Sequence, residues 1–307
     1  MVIALLVIPT ASAATASSGH NAVTPINHIV IITQENHSFD NYFGAFPGLA
    51  AGYGLNSTIC EPLVPGDANA GCLQPFDMDS YSGQAQQQDL NHGWNTSHIA
   101  YDNGNMDGFI YAQKLIPKEA ALANYSMGYY TGATLPDYWD YASYYALDAN
   151  FFGSQLSYTY PNRLYEVSAR SNFPADPWTS PDPPMYNLTY ATIINQLSQD
   201  KISWGYYTGN WQDQWDCKPF NAKVLDGQHV YEGFNTFFGD LEDFPAVQQT
   251  QPLCNNLRNT NDLMAQIKSG SLPAVSWVNP NMTQSEHPGR AATLPADSTV
   301  ALHGDLG

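Results

Sequence analysis

The sequence is poor in charged residues, and basic residues are the scarcest of them. Only 12% of the 307 residues are charged, and 10 lysines and arginines stand against 28 acidic residues, for a formal net charge of −18. Binding to nucleic-acid phosphates needs clustered lysine and arginine, so the composition argues against a nucleic-acid partner. We expect a surface of neutral polar groups and few carboxylates to tolerate acid, where protonation relieves acidic repulsion.

Long apolar runs are also absent. A membrane-spanning helix needs about 20 apolar residues, and the apolar run at residues 2–8 is far shorter. Small residues with an Ala-x-Ala pattern at residues 11–13 follow this run, which is typical of a secretory signal, although no lysine or arginine precedes it. We therefore predict a signal or leader segment over residues 1–24 and a secreted or cell-surface protein without a transmembrane segment.

The four cysteines lack the Cys-x2-Cys spacing of a zinc site. Cys60 and Cys72 lie in a Gly- and Pro-rich stretch, and Cys217 and Cys254 flank a second irregular region. We predict the disulfides Cys60–Cys72 and Cys217–Cys254, which fit export because disulfides persist in oxidising compartments. Sequons fit a glycosylated exterior. They begin at Asn56, Asn95, Asn124, Asn187 and Asn281.

Short apolar runs alternate with helical patterns along the chain, which predicts an α/β fold with a mainly parallel sheet. The predicted strands cover residues 27–33, 147–152, 202–207 and 274–278. The predicted helices cover residues 137–146, 192–200 and 263–268. The predicted irregular segments cover residues 45–88, 154–163, 172–188 and 208–258.

The first predicted strand ends abruptly in polar residues. Its run Ile29–Ile32 predicts a strand buried on both faces, and ligands of open α/β sheets bind beyond the carboxyl ends of the strands. Glu35 and Asn36 follow the run, and their oxygens suit a hard or borderline divalent cation. The structural alternative is a strand end followed by a helix that Ser38 or Asn36 caps.

Polar residues also follow other predicted strands. Thr159 lies in one such loop and the pair Glu286 and His287 in another, while His92 and Asp107 come from an irregular region that could close over the same sheet edge. A hydroxyl nucleophile, a divalent cation and neighbouring histidines make up a phosphoryl-transfer site, in which a histidine protonates the leaving alkoxide.

Each of these residues also has a purely structural interpretation. A single loop histidine such as His92 or His287 is usually structural or solvated, and Thr159 could be a turn hydroxyl beside tyrosines. Arg163 could simply pair with Glu166 or Asp148.

Four blocks in chain order resemble the motifs of a known family. They are Glu35-Asn-His-Ser-Phe-Asp-Asn-Tyr-Phe-Gly44, His92-Gly-Trp with Asn105-Met-Asp-Gly-Phe109, Thr159-Tyr-Pro-Asn-Arg-Leu-Tyr165, and Pro273-Ala-Val-Ser-Trp-Val278 with Ser285-Glu-His-Pro288. Together they resemble the phosphoesterase family of bacterial phospholipases C and acid phosphatases, over about residues 26–290. The resemblance implies an alkaline-phosphatase-like α/β/α sandwich over residues 25–307 that hydrolyses phosphoesters or phospholipids.

The resemblance also implies roles for individual residues. Glu35 and Asn36 would bind a divalent metal, and Thr159 would be the nucleophile that forms a phospho-enzyme intermediate. His92 and His287 would contact the phosphoryl oxygens or the leaving group. Glu286 would lie beside these histidines as a further catalytic residue. The predicted substrate-binding residues are Asn162, Arg163 and Asp107. We expect Asn162 and Arg163 to shape the nucleophile loop and not to take part in the chemistry itself.

The last residues depart from the family pattern. Family members carry a further acidic segment after Glu-His-Pro that completes the metal site, and nothing in residues 291–307 matches it. We therefore expect the remaining metal ligands and the final strand or strands beyond residue 307. The alternative function is a catalytically inactive fragment, or an extracellular lipid- or glycan-binding protein that retains the fold. In that case aromatic residues of the segment 204–238 would line a groove instead of packing in the core.

Overall fold

The computed structural model divides the chain into two compact units. Unit 1 draws its described residues from 35–158 and 283–307, and unit 2 from 3–34 and 159–282. Most of the predicted leader, residues 1–24, lies outside the described residues. The structure describes residues 3–5, 25–79, 89–118, 120–174, 188–209, 223–225, 228–230, 241, 244–248, 250, 253–280 and 285–288.

Helices and strands alternate in the described residues. The α-helices are α1 Phe39–Phe43, α2 Trp94–Tyr101, α3 Phe109–Lys114, α4 Pro136–Tyr144, α5 Thr159–Ser168, α6 Ile193–Gln199, α7 Pro245–Gln248 and α8 Thr260–Ser269. The strands are β1 Ile3–Leu5, β2 Ile29–Thr33, β3 Glu61–Pro62, β4 Cys72–Leu73, β5 Phe76–Asp77, β6 Gly128–Tyr129, β7 Trp204–Thr208, β8 Lys223–Leu225, β9 Gln228–Val230, β10 Leu257–Asn259 and β11 Val275–Asn279. Short 3-10 helices cover Asp102–Gly104, Ala120–Met127 and Cys254–Asn256. Among the described residues, every helix is too short or too polar to span a lipid bilayer.

Unit 2 is built around a five-stranded sheet in the order β1-β2-β11-β7-β10. The strands β2, β11, β7 and β10 are parallel, and β1 pairs with β2 in the antiparallel direction. The prediction of an α/β fold with a mainly parallel sheet is therefore confirmed. The edge strand β1 belongs to the segment predicted as a leader.

Helices cover both faces of this sheet. On one face, α5 and α6 join a core that includes Trp204, Tyr206 and Trp277. Successive side chains of a strand point to opposite faces, so Tyr207 points away from this core. Its hydroxyl donates a hydrogen bond to Gln266 of α8. Two helical layers around one sheet give unit 2 the α/β/α arrangement expected from the resemblance.

Strand β2 differs from its prediction in one respect. Ile29 and Ile32 keep 41% and 36% of their surface exposed, whereas Val30 is buried and Thr33 is fully buried. The prediction that this strand is buried on both faces was therefore wrong. Strand β7, an inner strand of the parallel set, is buried along its whole length.

Unit 1 has an aromatic core and little sheet. Its core includes Tyr42, Phe43, Tyr130 and Leu135, with Tyr138 and other side chains packed around it. Two-residue strands form an antiparallel β3–β4 pair and a parallel β5–β6 pair. The predicted disulfide Cys60–Cys72 is present and ties β4 to the residue before β3. The second predicted pair includes Cys217, which lies outside the described residues.

Four element predictions were wrong in detail. Residues 147–152 form no strand, because Asp148 accepts a hydrogen bond from the backbone N–H of Asn150 in a local turn. The predicted loop 154–163 ends earlier, since α5 begins at Thr159 and tolerates Pro161 in its first turn. The segments 45–88 and 208–258 were predicted as irregular. The first contains β3, β4 and β5, and the second contains the β8–β9 pair, α7 and the start of β10.

Candidate functional site

The motif at residues 35–44 forms a short capped helix in unit 1. The Ser38 side chain accepts a hydrogen bond from the backbone N–H of Asn41 at 3.2 Å, so the predicted cap of α1 is Ser38. The motif ends at a glycine because the backbone approaches closely there. A Cβ atom on Gly44 would lie 2.4 Å from the carbonyl oxygen of Asp40. The cap and the glycine explain much of this motif in structural terms.

The side chain of Asn36 is held by a backbone carbonyl. Its Nδ2 donates a hydrogen bond to the Ser285 carbonyl at 2.6 Å, which fixes the amide orientation, and within the described residues Oδ1 accepts no hydrogen bond. Its backbone has φ = 79°, a strained value of the kind found at functional sites. Glu35 is half-buried beside it in sequence. This donor set of a carboxylate and an amide oxygen fits a hard or borderline divalent metal.

The Glu286 side chain is buried against two tyrosines. Its Oε2 accepts a hydrogen bond from the Tyr42 hydroxyl at 2.6 Å, and its Oε1 accepts one from the Tyr138 hydroxyl at 2.9 Å. Burial and the adjacent carboxylate raise the pKa of Tyr42, so its hydroxyl stays protonated and donates. Both carboxylate oxygens of Glu286 therefore already bind protein donors.

His37 supports the same loop from the other side. Its Nε2 donates to the backbone carbonyl of Glu286 at 3.0 Å, because a carbonyl oxygen can only accept. Its Nδ1 lies 2.7 Å from Oδ1 of Asn41, an oxygen that likewise accepts, while Nδ2 of Asn41 donates to the carbonyl of Gly128. The His37 ring also stacks on Tyr42 at 4.5 Å between centroids. Burial lowers the pKa of His37, while the nearby Glu286 carboxylate acts in the opposite direction.

His92 and His287, two histidines of the predicted site, lie side by side in unit 1. Their ring centroids are 5.5 Å apart in an edge-to-face arrangement, and Tyr158 lies 5.4 Å from His92 in the same manner. Asp89 completes the group, with one possible ligand atom from each of Asp89, His92 and His287 within 4.8 Å of the others. The structure thus brings together two residues from motifs far apart in the sequence.

The orientation of these two rings is set by the backbone. Nδ1 of His92 donates to the carbonyl of Leu90 at 2.7 Å, and Nδ1 of His287 donates to that of Pro288 at 2.8 Å. Each ring therefore keeps Nε2 for a phosphoryl oxygen, a leaving group or a metal. Metal-binding histidines commonly show this arrangement. Asp89 Oδ1 lies 3.6 Å from Nδ1 of His92, and Asp89, His92 and His287 together form a second group that could hold a metal ion.

In unit 2, Thr159 is the first residue of α5. Arg163 of this helix is buried, donates a hydrogen bond to Asn279 Oδ1 and lies 3.7 Å from Glu166 Oε2. Thr33 donates to Glu166 Oε1 at 2.9 Å. The structural interpretation of Arg163, pairing with Glu166, is confirmed, and the buried guanidinium ties α5 to the ends of β2 and β11. Asn162 lies half-buried in the same turn.

Asp107, predicted to bind substrate, is half-buried just before α3. The next residue explains the local motif, since a Cβ atom on Gly108 would lie 2.2 Å from the carbonyl oxygen of Ile99. The backbone N–H of Phe109 donates to Glu61 Oε1 at 2.8 Å. Close backbone packing and this hydrogen bond account for the Gly-Phe part of the motif.

Sequence reasoning did not single out four residues of these groups. Asp89 precedes His92 by three residues, a spacing that could have drawn attention to it. His37, Tyr42 and Tyr138 carry no such signal, because a motif histidine and two tyrosines in an aromatic-rich chain look like core residues. The aromatic residues Trp204, Tyr206 and Tyr207 are buried, so in this described part of segment 204–238 the core interpretation is correct.

Comparisons with known proteins agree with the motifs. The sequence model of the phosphoesterase family matches residues 26–303. Phospholipase C A of Mycobacterium tuberculosis is 28% identical over 303 residues, which cover 92% of this chain and 54% of that protein. Non-hemolytic phospholipase C of Burkholderia pseudomallei is 27% identical, with coverages of 94% and 42%. Non-specific phospholipase C3 of Arabidopsis thaliana is 27% identical, with coverages of 71% and 43%. The chain spans about half the length of the curated relatives that it matches.

Proposed function

Because the chain belongs to the phosphoesterase family, we propose that it hydrolyses phosphate esters of the phospholipase C or acid phosphatase type. The observation that carries this proposal is the pairing of His92 and His287, with both Nδ1 atoms held by backbone carbonyls. Two oriented imidazoles suit the binding of phosphoryl oxygens and the protonation of a leaving alkoxide.

We assign the nucleophilic attack to the Thr159 hydroxyl, on the basis of the motif at residues 159–165. Its oxygen would form a bond to phosphorus and lose its proton to solvent while the bond to the leaving alkoxide breaks and a histidine protonates that alkoxide. Water would then attack the phosphorus and restore the Thr159 hydroxyl, releasing phosphate from a monoester or the phosphorylated headgroup from a diester. Thr159 begins a ten-residue helix, and the positive end of a helix dipole stabilises a nearby phosphoryl group.

A divalent metal is the proposed cofactor, and Glu35 and Asn36 are its proposed ligands. When bound, such a metal lowers the proton affinity of an attacking hydroxyl and neutralises phosphoryl charge. The fixed amide of Asn36 supports this assignment, because its Oδ1 remains available. The group Asp89, His92 and His287 is the competing donor set, and metal content in variants distinguishes the two.

A phospholipid is the proposed substrate class. The relatives that support it are named phospholipase C, and unit 1 exposes large aromatic side chains that suit a lipid interface. Tyr144 and Phe152 keep 78% and 76% of their surface exposed, and Tyr145 keeps 65%. Aromatic side chains are enriched where protein meets the headgroup region of a bilayer.

We also propose that the protein works outside the cytoplasm. The disulfide Cys60–Cys72 supports an oxidising compartment. The sequon asparagines Asn56, Asn95 and Asn124 are exposed, as glycan attachment requires, while Asn187 and Asn281 lie outside the described residues.

The experiment compares turnover of p-nitrophenyl phosphorylcholine and p-nitrophenyl phosphate by the wild-type chain, Thr159→Ala and Thr250→Ala. We expect Thr159→Ala to lose turnover and Thr250→Ala, a change at an exposed threonine, to keep it. Acid quenching during turnover should trap a phosphoryl group from p-nitrophenyl phosphate, or a phosphorylcholine group from p-nitrophenyl phosphorylcholine, on a peptide that contains Thr159, detected by mass spectrometry.

Full turnover by a folded Thr159→Ala chain would refute the assignment of the nucleophile. A folded, metal-supplied wild-type chain that binds phosphatidylcholine vesicles but hydrolyses neither compound would instead support the lipid-binding alternative.

A further inference from the structure

We propose that Glu286 is a positioning residue, and that Tyr42, Tyr138 and His37 act with it to hold the loop that carries His287. The catalytic meaning of this role rests on the proposed function, in which His287 contacts the substrate. The arrangement itself rests only on contacts within unit 1.

Four side chains hold two consecutive residues of this loop. Asn36 donates to the carbonyl oxygen of Ser285, and His37 donates to the carbonyl oxygen of Glu286. The tyrosine hydroxyls of Tyr42 and Tyr138 donate to the two carboxylate oxygens of Glu286. The four donors lie between 2.6 and 3.0 Å from their acceptors.

The backbone conformation of Glu286 requires such support. Its φ is 59°, in the left-handed region that is unfavourable for a non-glycine residue. Strained conformations of this kind persist where the surrounding contacts over-determine them. The hydrogen bonds to the Ser285 and Glu286 carbonyls and to the carboxylate supply these contacts, and they set the direction in which the chain enters His287.

The burial of the Glu286 side chain argues against a direct role in the reaction. Its side chain is 5% exposed, and both oxygens accept hydrogen bonds from neutral hydroxyls. A general acid or base must reach the proton that it transfers. His287 is less buried, and its Nε2 is not used by the backbone bond that orients the ring. The geometry therefore favours His287 as the residue that takes part in the reaction and Glu286 as the residue that positions His287.

The test uses conservative and disruptive variants in the full chain. Glu286→Gln keeps an oxygen that accepts from one tyrosine and an amide that donates to the other, whereas Glu286→Ala and the double variant Tyr42→Phe/Tyr138→Phe remove these bonds. Tyr141→Phe is the matched control, since Tyr141 lies on the same helix as Tyr138 but is 49% exposed.

Two kinds of measurement are made on each variant. Steady-state kinetics give kcat and KM for p-nitrophenyl phosphorylcholine. A 15N spectrum shows the imidazole signals, and the His287 signal is assigned from its absence in His287→Ala. We expect Glu286→Gln to keep kcat within about tenfold, and Glu286→Ala and the double tyrosine variant to lower it about 100-fold with little change in KM, as for a misplaced catalytic group. The His287 signal should shift or broaden in the two disruptive variants, while that of His98 stays unchanged.

Two results would overturn the positioning role. One is a loss of kcat in Glu286→Gln as large as in Glu286→Ala with an unchanged His287 signal, which would make Glu286 catalytic. The other is an unchanged His287 signal in a folded double tyrosine variant. A wild-type chain without turnover contradicts the proposed function alone, because the imidazole spectrum tests the placement of His287 independently of activity.

Discussion

Arg163 donates a hydrogen bond to the side-chain oxygen of Asn279, although 116 positions separate them, and both side chains are buried in unit 2. Glu166 lies beside the same guanidinium and accepts a hydrogen bond from Thr33. These contacts join α5, which begins at Thr159, to the last residues of β2 and β11, Thr33 and Asn279. It explains why the Thr159 motif includes an arginine without requiring that the arginine bind substrate.

Removal of the arginine should therefore destabilise the fold. Arg163→Met leaves the Glu166 carboxylate half-buried without its cation, and breaking a buried ion pair on one side costs about 3 kcal/mol. Chemical denaturation measures this loss, with Arg170→Met, an exposed arginine, as the control that we expect to cost less than about 1 kcal/mol. If Arg163→Met lowers the free energy of unfolding as little as Arg170→Met does, the contacts of Arg163 do not hold α5 in place.

Removal of the metal should abolish turnover. The two candidate donor sets predict that different variants lose the metal. We expect a chelator to stop hydrolysis and Glu35→Gln to lose the metal, because its carboxylate supplies the anionic ligand. His92→Ala should keep the metal and lose turnover, and His98→Ala should keep both. Metal content is measured after gel filtration. Metal lost in His92→Ala but kept in Glu35→Gln would assign the ion to Asp89, His92 and His287.

Phospholipid specificity should depend on the exposed aromatic side chains of unit 1. We expect Tyr144→Ser/Phe152→Ser to lower hydrolysis of phosphatidylcholine in vesicles about tenfold, because the loss of interfacial aromatic contacts weakens vesicle binding. The rate on soluble p-nitrophenyl phosphorylcholine should not change. Met264→Ser, an exposed residue of α8 in unit 2, is the control. Equal losses on both substrates would contradict a role in lipid contact.

Glu61 should make the protein relatively more stable in acid. Burial raises the pKa of Glu61, so the folded chain holds this proton more tightly than the unfolded chain does. Its contribution to stability is then fully present below its ordinary pKa and is lost as the pH rises through the raised pKa. Glu61→Gln should therefore raise the melting temperature relative to wild type more at pH 7 than at about pH 4.

The exposed variant Asp140→Asn serves as the control for this comparison. A difference between Glu61→Gln and wild type that grows toward acid would contradict the sign of the pKa shift.

The disulfide of unit 1 should contribute measurably to stability. Cys60 and Cys72 close a loop with a sequence separation of 12, and closure of a loop of this size stabilises a protein by about 3 kcal/mol through the unfolded chain. Cys60→Ser/Cys72→Ser should lower the free energy of unfolding by about 2–3 kcal/mol in urea. No change in the midpoint would show that the bond does not constrain the unfolded state.

Local patterns predicted the elements that local physics controls. The apolar β-branched run before Glu35 and the alternation of strands and helices predicted the parallel sheet, and Ser38 was among the predicted caps. Prediction failed at residues 147–152, where a local turn at Asp148 overrides aromatic strand propensity, and at Thr159, where proline in a first helical turn resembles a loop.

The order of residues along the chain was enough to identify the family motifs, the α/β class, the short disulfide loop and the residue types of the proposed site. Which of these residues lie together depends on the three-dimensional fold. Glu286 is hydrogen-bonded to Tyr42, 244 positions away, and to His37, 249 positions away, and the ring of His92 packs against that of His287. The period of a helix or strand extends over a few residues, whereas these partners depend on the path of the whole chain. A buried carboxylate must find donors wherever the fold supplies them, and no local pattern in the sequence encodes that partner.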